Sequence, residues 1–120
     1  MKITFPWPPK ELSPNRSIHW AALGRSKKKY KTDCMWICKA AKLPTKFKDR
    51  VFCAPQITFN PPDKRLRDMD NCVAAFKAGQ DAMAEALGIN DRIFLPNYEW
   101  GEPVKHGSVT IKFSQGELIP

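Results

Sequence analysis

The chain has 120 residues and a formal net charge of +8, from 20 Lys and Arg against 12 Asp and Glu. That length supports one domain with a single core and excludes a core with a deep private cavity, so sites belong on the surface or between subunits. With a sequence pI near 9.5 and bases gathered as RSKKKYK (25–31) and DKRLRD (63–68), the surface is expected to attract a polyanion, nucleic acid first, rather than only to solubilise.

In chain order, KITF (2–5) alternates as a strand does and is stopped by PWPP; KELSPNRSIHW (10–20) has no period and reads as a loop. Tyr30, Cys34, Ile37, Cys38 and Ala41 fall at helical spacing within 26–42, and LPTKFK ends that helix. VFCAPQITF (51–59) is rich in β-formers, and Pro55 argues for an edge position or a bulge. NPPDKRLR leads into a long helix over 68–87, with Gly88 suited to its C′ position. RIFLPNYEW (92–100) and SVTIKF (108–113) follow as strands, joined by GEPVKHG, which has the composition of a hairpin connection; the tail QGELIP reads as loosely held. The expected architecture is mixed α/β (α+β): one small domain over 1–120, order strand-helix-strand-helix-strand-strand, with a short mixed sheet and two helices.

No apolar run approaches the roughly 20 residues of a membrane span, and MKITFPWPPK has no signal-peptide core, so a soluble, cytoplasmic protein without a membrane partner is expected. Cys34, Cys38, Cys53 and Cys72 form no C-x-x-C pair and no close couple with His19 or His106, which favours buried free thiols over zinc.

At 100° per residue the long helix divides into three faces. Met69, Val73, Phe76, Met83 and Leu87 make the apolar stripe expected to face the sheet; Cys72, Ala75, Gly79, Ala82 and Ala86 make a stripe of small residues; Asp70, Asn71, Ala74, Lys77, Asp81 and Glu85 occupy the open arc. Gly79 costs about 1 kcal/mol relative to Ala in a helix interior, so the small stripe implies a close neighbour: another helix, or a bulky side chain such as Trp100 or Trp36. Asp68 and Asp70, two residues apart beside DKRLR, suit a divalent cation used on phosphate, because Mg²⁺ takes one or two carboxylates and keeps waters. Helix capping accounts for one or two of these acids, but not for Asp91 beyond the helix.

RLRDMDN (65–71), PWPP near the start, Asn15 in a polar loop, the basic helix and Asp91 after the long helix together resemble the RusA family of Holliday junction resolvases of phages and prophages. The resemblance covers most of the chain. It implies a homodimeric, Mg²⁺-dependent endonuclease, with Mn²⁺ as an alternative metal, that nicks four-way junction DNA symmetrically in a bacterial or phage-infected cell. It gives metal-binding and catalytic roles to Asp68, Asp70 and Asp91, and a place on the substrate path to Asn15 and Arg16. The family's lysine one turn after the second Asp is Ala74 here; Lys77, one turn further, is expected to lean back and substitute. Phosphate contacts are expected from Lys27, Lys28, Lys29, Lys31, Lys64, Arg65 and Arg67. The alternatives are a catalytically weak or inactive branched-DNA binding protein and a structural protein with a basic contact surface.

Length constrains the third acid. Residues 68 to 87 as one helix span about 30 Å, and the steps from Leu87 to Asp91 return at most about 14 Å, so Asp91 stays some 16 Å from Asp68 of its own chain. If Asp91 joins the site, it comes from a second copy. Two long helices crossing antiparallel near Gly79 would bring it there, with Cys72, Ala75, Gly79, Ala82 and Ala86 as the contact.

Overall fold

The computed structural model describes residues 2–14, 19–41, 52–53, 55–88, 95–113 and 118–119, the pairs 52–53 and 118–119 by backbone only. β1 (Lys2–Pro6), β3 (Gln56–Asn60) and β5 (Ser108–Lys112) each alternate buried and open positions. Such alternation places Ile3, Phe5, Ile57, Phe59, Val109 and Ile111 on one face, all buried. β5 pairs antiparallel with both β1 and β3, and β4 (Asn97–Trp100) adds in parallel to β3, giving the order β1-β5-β3-β4. On the opposite face Thr4, Thr110, Thr58 and Glu99 align in one row, and the Thr58 hydroxyl donates to Glu99 Oε1 at 2.7 Å.

α1 (Trp20–Ala40) and α2 (Met69–Leu87) pack on each other and on the apolar face of the sheet. The result is a two-layer α+β domain, with α2 as the crossover between the parallel strands β3 and β4. Phe76 of α2 sits at its centre, with ring centroids 5.9 Å from Phe5, 5.9 Å from Phe59 and 6.4 Å from Tyr30. The Tyr30 hydroxyl donates to the Pro6 carbonyl at 2.6 Å, tying α1 to the end of β1. Cys34, Cys38 and Cys72 are buried free thiols, as their spacing suggests; the Cys53 side chain lies outside the described residues. None of the described helices is long and apolar enough to cross a membrane.

Several elements differ from expectation. α1 starts at Trp20, well before 26, because His19 caps it: its Nδ1 accepts the Ala21 N–H at 3.3 Å. Pro55 splits the expected strand 51–59 into β2 (Phe52–Cys53) and the central β3, since proline has no N–H to give a ladder. The tail is not loose throughout, for β6 (Leu118–Ile119) pairs antiparallel with β2. GEPVKHG joins strands that are not neighbours: it passes over the end of β3, where Gly101 N–H donates to Phe59 O and Val104 N–H to Pro61 O, both at 2.9 Å. The strand expected from 92 begins at Asn97; residues 92–94 lie outside the described ones.

The small stripe of α2 also finds its reason inside the chain. Gly79 and Ala82 are buried in the single domain, and a Cβ on Gly79 would stand 2.5 Å from Cε1 of Phe76. The bulky neighbour is therefore Phe76 of the same helix rather than Trp100 or Trp36, and the adjacent helix is α1 of the same chain. Cys72, Gly79 and Ala82, expected to meet a second copy, are occupied by the chain's own core.

Candidate functional site

The head of α2 is built by local hydrogen bonding. Pro61 and Pro62 end β3, and Asp63 then turns the chain by accepting the Arg65 N–H on Oδ1 at 2.9 Å. Arg67 reaches back to the same carboxylate at 2.9 Å, donates to the carbonyls of Arg65 (3.0 Å) and Asp63 (3.3 Å), and lies 5.7 Å above the centroid of Trp7. The guanidinium holds the Asp63 carboxyl below its usual range, chiefly through this hydrogen bond. Arg67, expected to contact phosphate, instead fastens the loop; its side chain is only 14% exposed.

Asp68 caps α2, its Oδ1 accepting the Asp70 N–H at 2.8 Å, and Asp70 is exposed in the first turn. The capping account thus holds for Asp68 and, among the described residues, leaves its second oxygen and the whole Asp70 carboxylate open to other uses. Asp68 lies on a cleft of about 650 Å³ with Trp7, Pro9, Arg65, Leu66 and Asn71. PWPP and RLRDMDN, far apart in sequence, meet here.

A second cleft of about 640 Å³ runs between α1 and α2, rimmed by Lys27, Lys28, Lys31 and Lys77 over Val73, Ala74 and Ala78. The two clefts share Ala75 and flank the 3₁₀ turn Lys10–Leu12, which gives Lys10 to the first and Leu12 to the second. Lys29 and Lys31 are partly engaged, Lys29 with Asp33 at 3.0 Å and Lys31 with Glu85 at 2.7 Å. Lys77 does not lean back toward the aspartates: its Nζ meets Asp81 at 2.8 Å, one turn the other way.

Lys64 and Arg65 are exposed on the α2 loop. Asn15, Arg16 and Asp91 lie outside the described residues. Among the described residues no three His, Cys, Asp or Glu gather as a metal cluster, which leaves Asp68 and Asp70 as the acidic pair. Two features escaped sequence reasoning. Leu66, 98% exposed at the cleft rim, carries no periodic signal. The Arg67–Asp63 clamp was visible only as an i,i+4 spacing among residues read as phosphate ligands.

No family model matches the chain. A protein of Xylella fastidiosa (strain Temecula1 / ATCC 700964), described as an uncharacterized protein, is 35% identical over 115 residues, covering 91% of this chain and 72% of its own. A likeness of that strength over most of both chains makes them members of one family, and to that family this chain belongs.

Proposed function

We propose that the chain is a divalent-metal-dependent endonuclease of branched DNA, resolving four-way junctions by paired nicks as RusA-type resolvases do. The observation behind this proposal is the cleft in which Asp68, at the head of α2, lies beside Arg65, with Asp70 exposed two residues on. The pair fits a hard cation that needs only one or two carboxylates: Asp68 spends one oxygen on its cap, and Asp70 is uncommitted to any hydrogen bond through its side chain among the described residues. Mg²⁺ or Mn²⁺, when bound, supplies phosphoryl polarisation and hydroxide near neutral pH. The chain's own residues hold the strand: Lys64 and Arg65 beside the acids, and Lys27 and Lys28 along α1, neutralise phosphates. A homodimer presents two such sites to a two-fold junction. Its contact then lies away from Gly79 and Ala82, and the place of Asp91 in it follows only from the resemblance and from chain length.

A labelled four-way junction tests the proposal. Wild type should cut it in Mg²⁺ and not in chelator, and Asp70→Asn should bind without cutting; cutting by Asp70→Asn at the wild-type rate overturns it. A second reading, a branched-DNA binder with weak or no cleavage, is favoured by Ala74 standing exposed where a lysine is expected and by Lys77 turned to Asp81. Salt-sensitive junction binding without cleavage selects it.

A further inference from the structure

We infer that the edge of α1 from Trp20 to Lys31 binds an unpaired nucleic-acid strand, with a base stacked on Trp20 and phosphates on Lys27, Lys28 and Lys31. Trp20 is 78% exposed, a large cost in apolar surface for a residue that the core does not use. Its indole lies against the His19 ring, centroids 5.6 Å apart and planes at 27°. His19 is fixed in turn by the Ala21 N–H that its Nδ1 accepts at 3.3 Å. The pair is therefore a flat aromatic platform whose orientation is set before any ligand arrives, and ordering it on binding costs little.

Trp20, Gly24, Lys27, Lys28 and Lys31 recur at i, i+4, i+7, i+8 and i+11, which at 3.6 residues per turn is one edge of the helix. The lysines lie about 10–17 Å along the axis from Trp20, at 1.5 Å per residue, within reach of a few nucleotides of one strand. Lys27 and Lys28 make no ion pair among the described residues. The pair Lys31–Glu85 is exposed on both sides, 42% and 59%, and such pairs exchange readily. Between platform and lysines stands Gly24, where a Cβ would meet nothing within 4 Å, so the path along the edge is open. Aromatic platforms with flanking cations suit single strands, because an unpaired base offers its face whereas a duplex keeps its faces stacked inside. The inference rests on the nucleic-acid reading above and adds to it the strand type and the surface that holds it.

Anisotropy titrations with a labelled oligo-dT and a duplex of equal length test it, using wild type, Trp20→Ala and Gly24→Glu. The Cβ of Gly24→Glu enters open space and glutamate improves helix propensity, so the variant should keep the fold while placing a negative charge in the path. Trp20→Ala should weaken oligo-dT binding by about tenfold or more and leave duplex binding unchanged, and Gly24→Glu should weaken oligo-dT binding several-fold. Unchanged oligo-dT affinity in both variants, with wild type binding DNA, overturns the inference alone. A wild type that binds neither oligo-dT, duplex nor junction overturns the nucleic-acid reading with it.

Discussion

Arg67 carries the charge expected of a phosphate ligand, yet its guanidinium is spent on Asp63, on two carbonyls and on the Trp7 face. All three oxygens meet one nitrogen, Nη1, while the guanidinium carbon stands over the indole, and the compact ammonium of a lysine cannot occupy both positions at once. Arg67→Lys and Arg67→Ala should therefore both speed amide exchange at residues 64–68, a result checked by exchange mass spectrometry; protection restored by Lys would show that charge alone suffices. The Asp63 carboxyl is held below the usual carboxylate range, so this contact is fully present above that range and is lost as pH falls through the lowered value. Proton release should be visible in an NMR titration of Asp63, its midpoint rising toward normal in Arg67→Ala. The thiols move the other way. Burial pushes Cys34 up to about 12 and Cys38 up to about 11. Both should resist thiol reagents at pH 8 in the folded protein. The stability they lend holds below the ordinary thiol value of 9.0 and declines as pH rises toward 11–12, because the unfolded chain ionises first.

At the scale of elements, α2 combines a cap, a dense interior and a head that carries the acidic pair of the proposed site. Asp68→Ala removes the cap and should cost about 1 kcal/mol in denaturant melts, whereas Asp68→Asn keeps an acceptor and should cost only tenths. On the proposed function both lose cleavage, so Asp68→Asn separates chemistry from stability. Gly79→Ala inverts the usual helix rule. Propensity alone would gain about 1 kcal/mol. The added methyl instead meets Phe76, a fully buried ring held by Phe5, Tyr30 and Phe59, so a net loss of about 1–2 kcal/mol is expected from overpacking. Combining it with Phe76→Leu should cost less than the sum of the two single changes; strict additivity would show that the ring does not oppose the methyl.

For the whole molecule, the proposed function together with the formal charge of +8 and the lysine-rimmed cleft predicts that any binding of branched DNA weakens with salt, by about one log unit of K per log unit of salt for each phosphate neutralised. A flat salt profile would argue for a partner other than nucleic acid. The sequence by itself determined what depends on near neighbours: the span and both caps of α2, with Gly88 at φ 69°, and the inward residues of β1, β3 and β5. Helical period, strand alternation and cap chemistry are written within a few residues, so they can be read there. The strand pattern could not say that β3 lies between β4 and β5, because a connection of hairpin composition closes equally well over the end of an intervening strand. Nor could a wheel tell a partner helix from α1 and Phe76 as the reason for Gly79, or composition tell a phosphate-binding Arg67 from one set over Trp7. Only the tertiary structure decided these, since each depends on which distant side chain folding brings within contact.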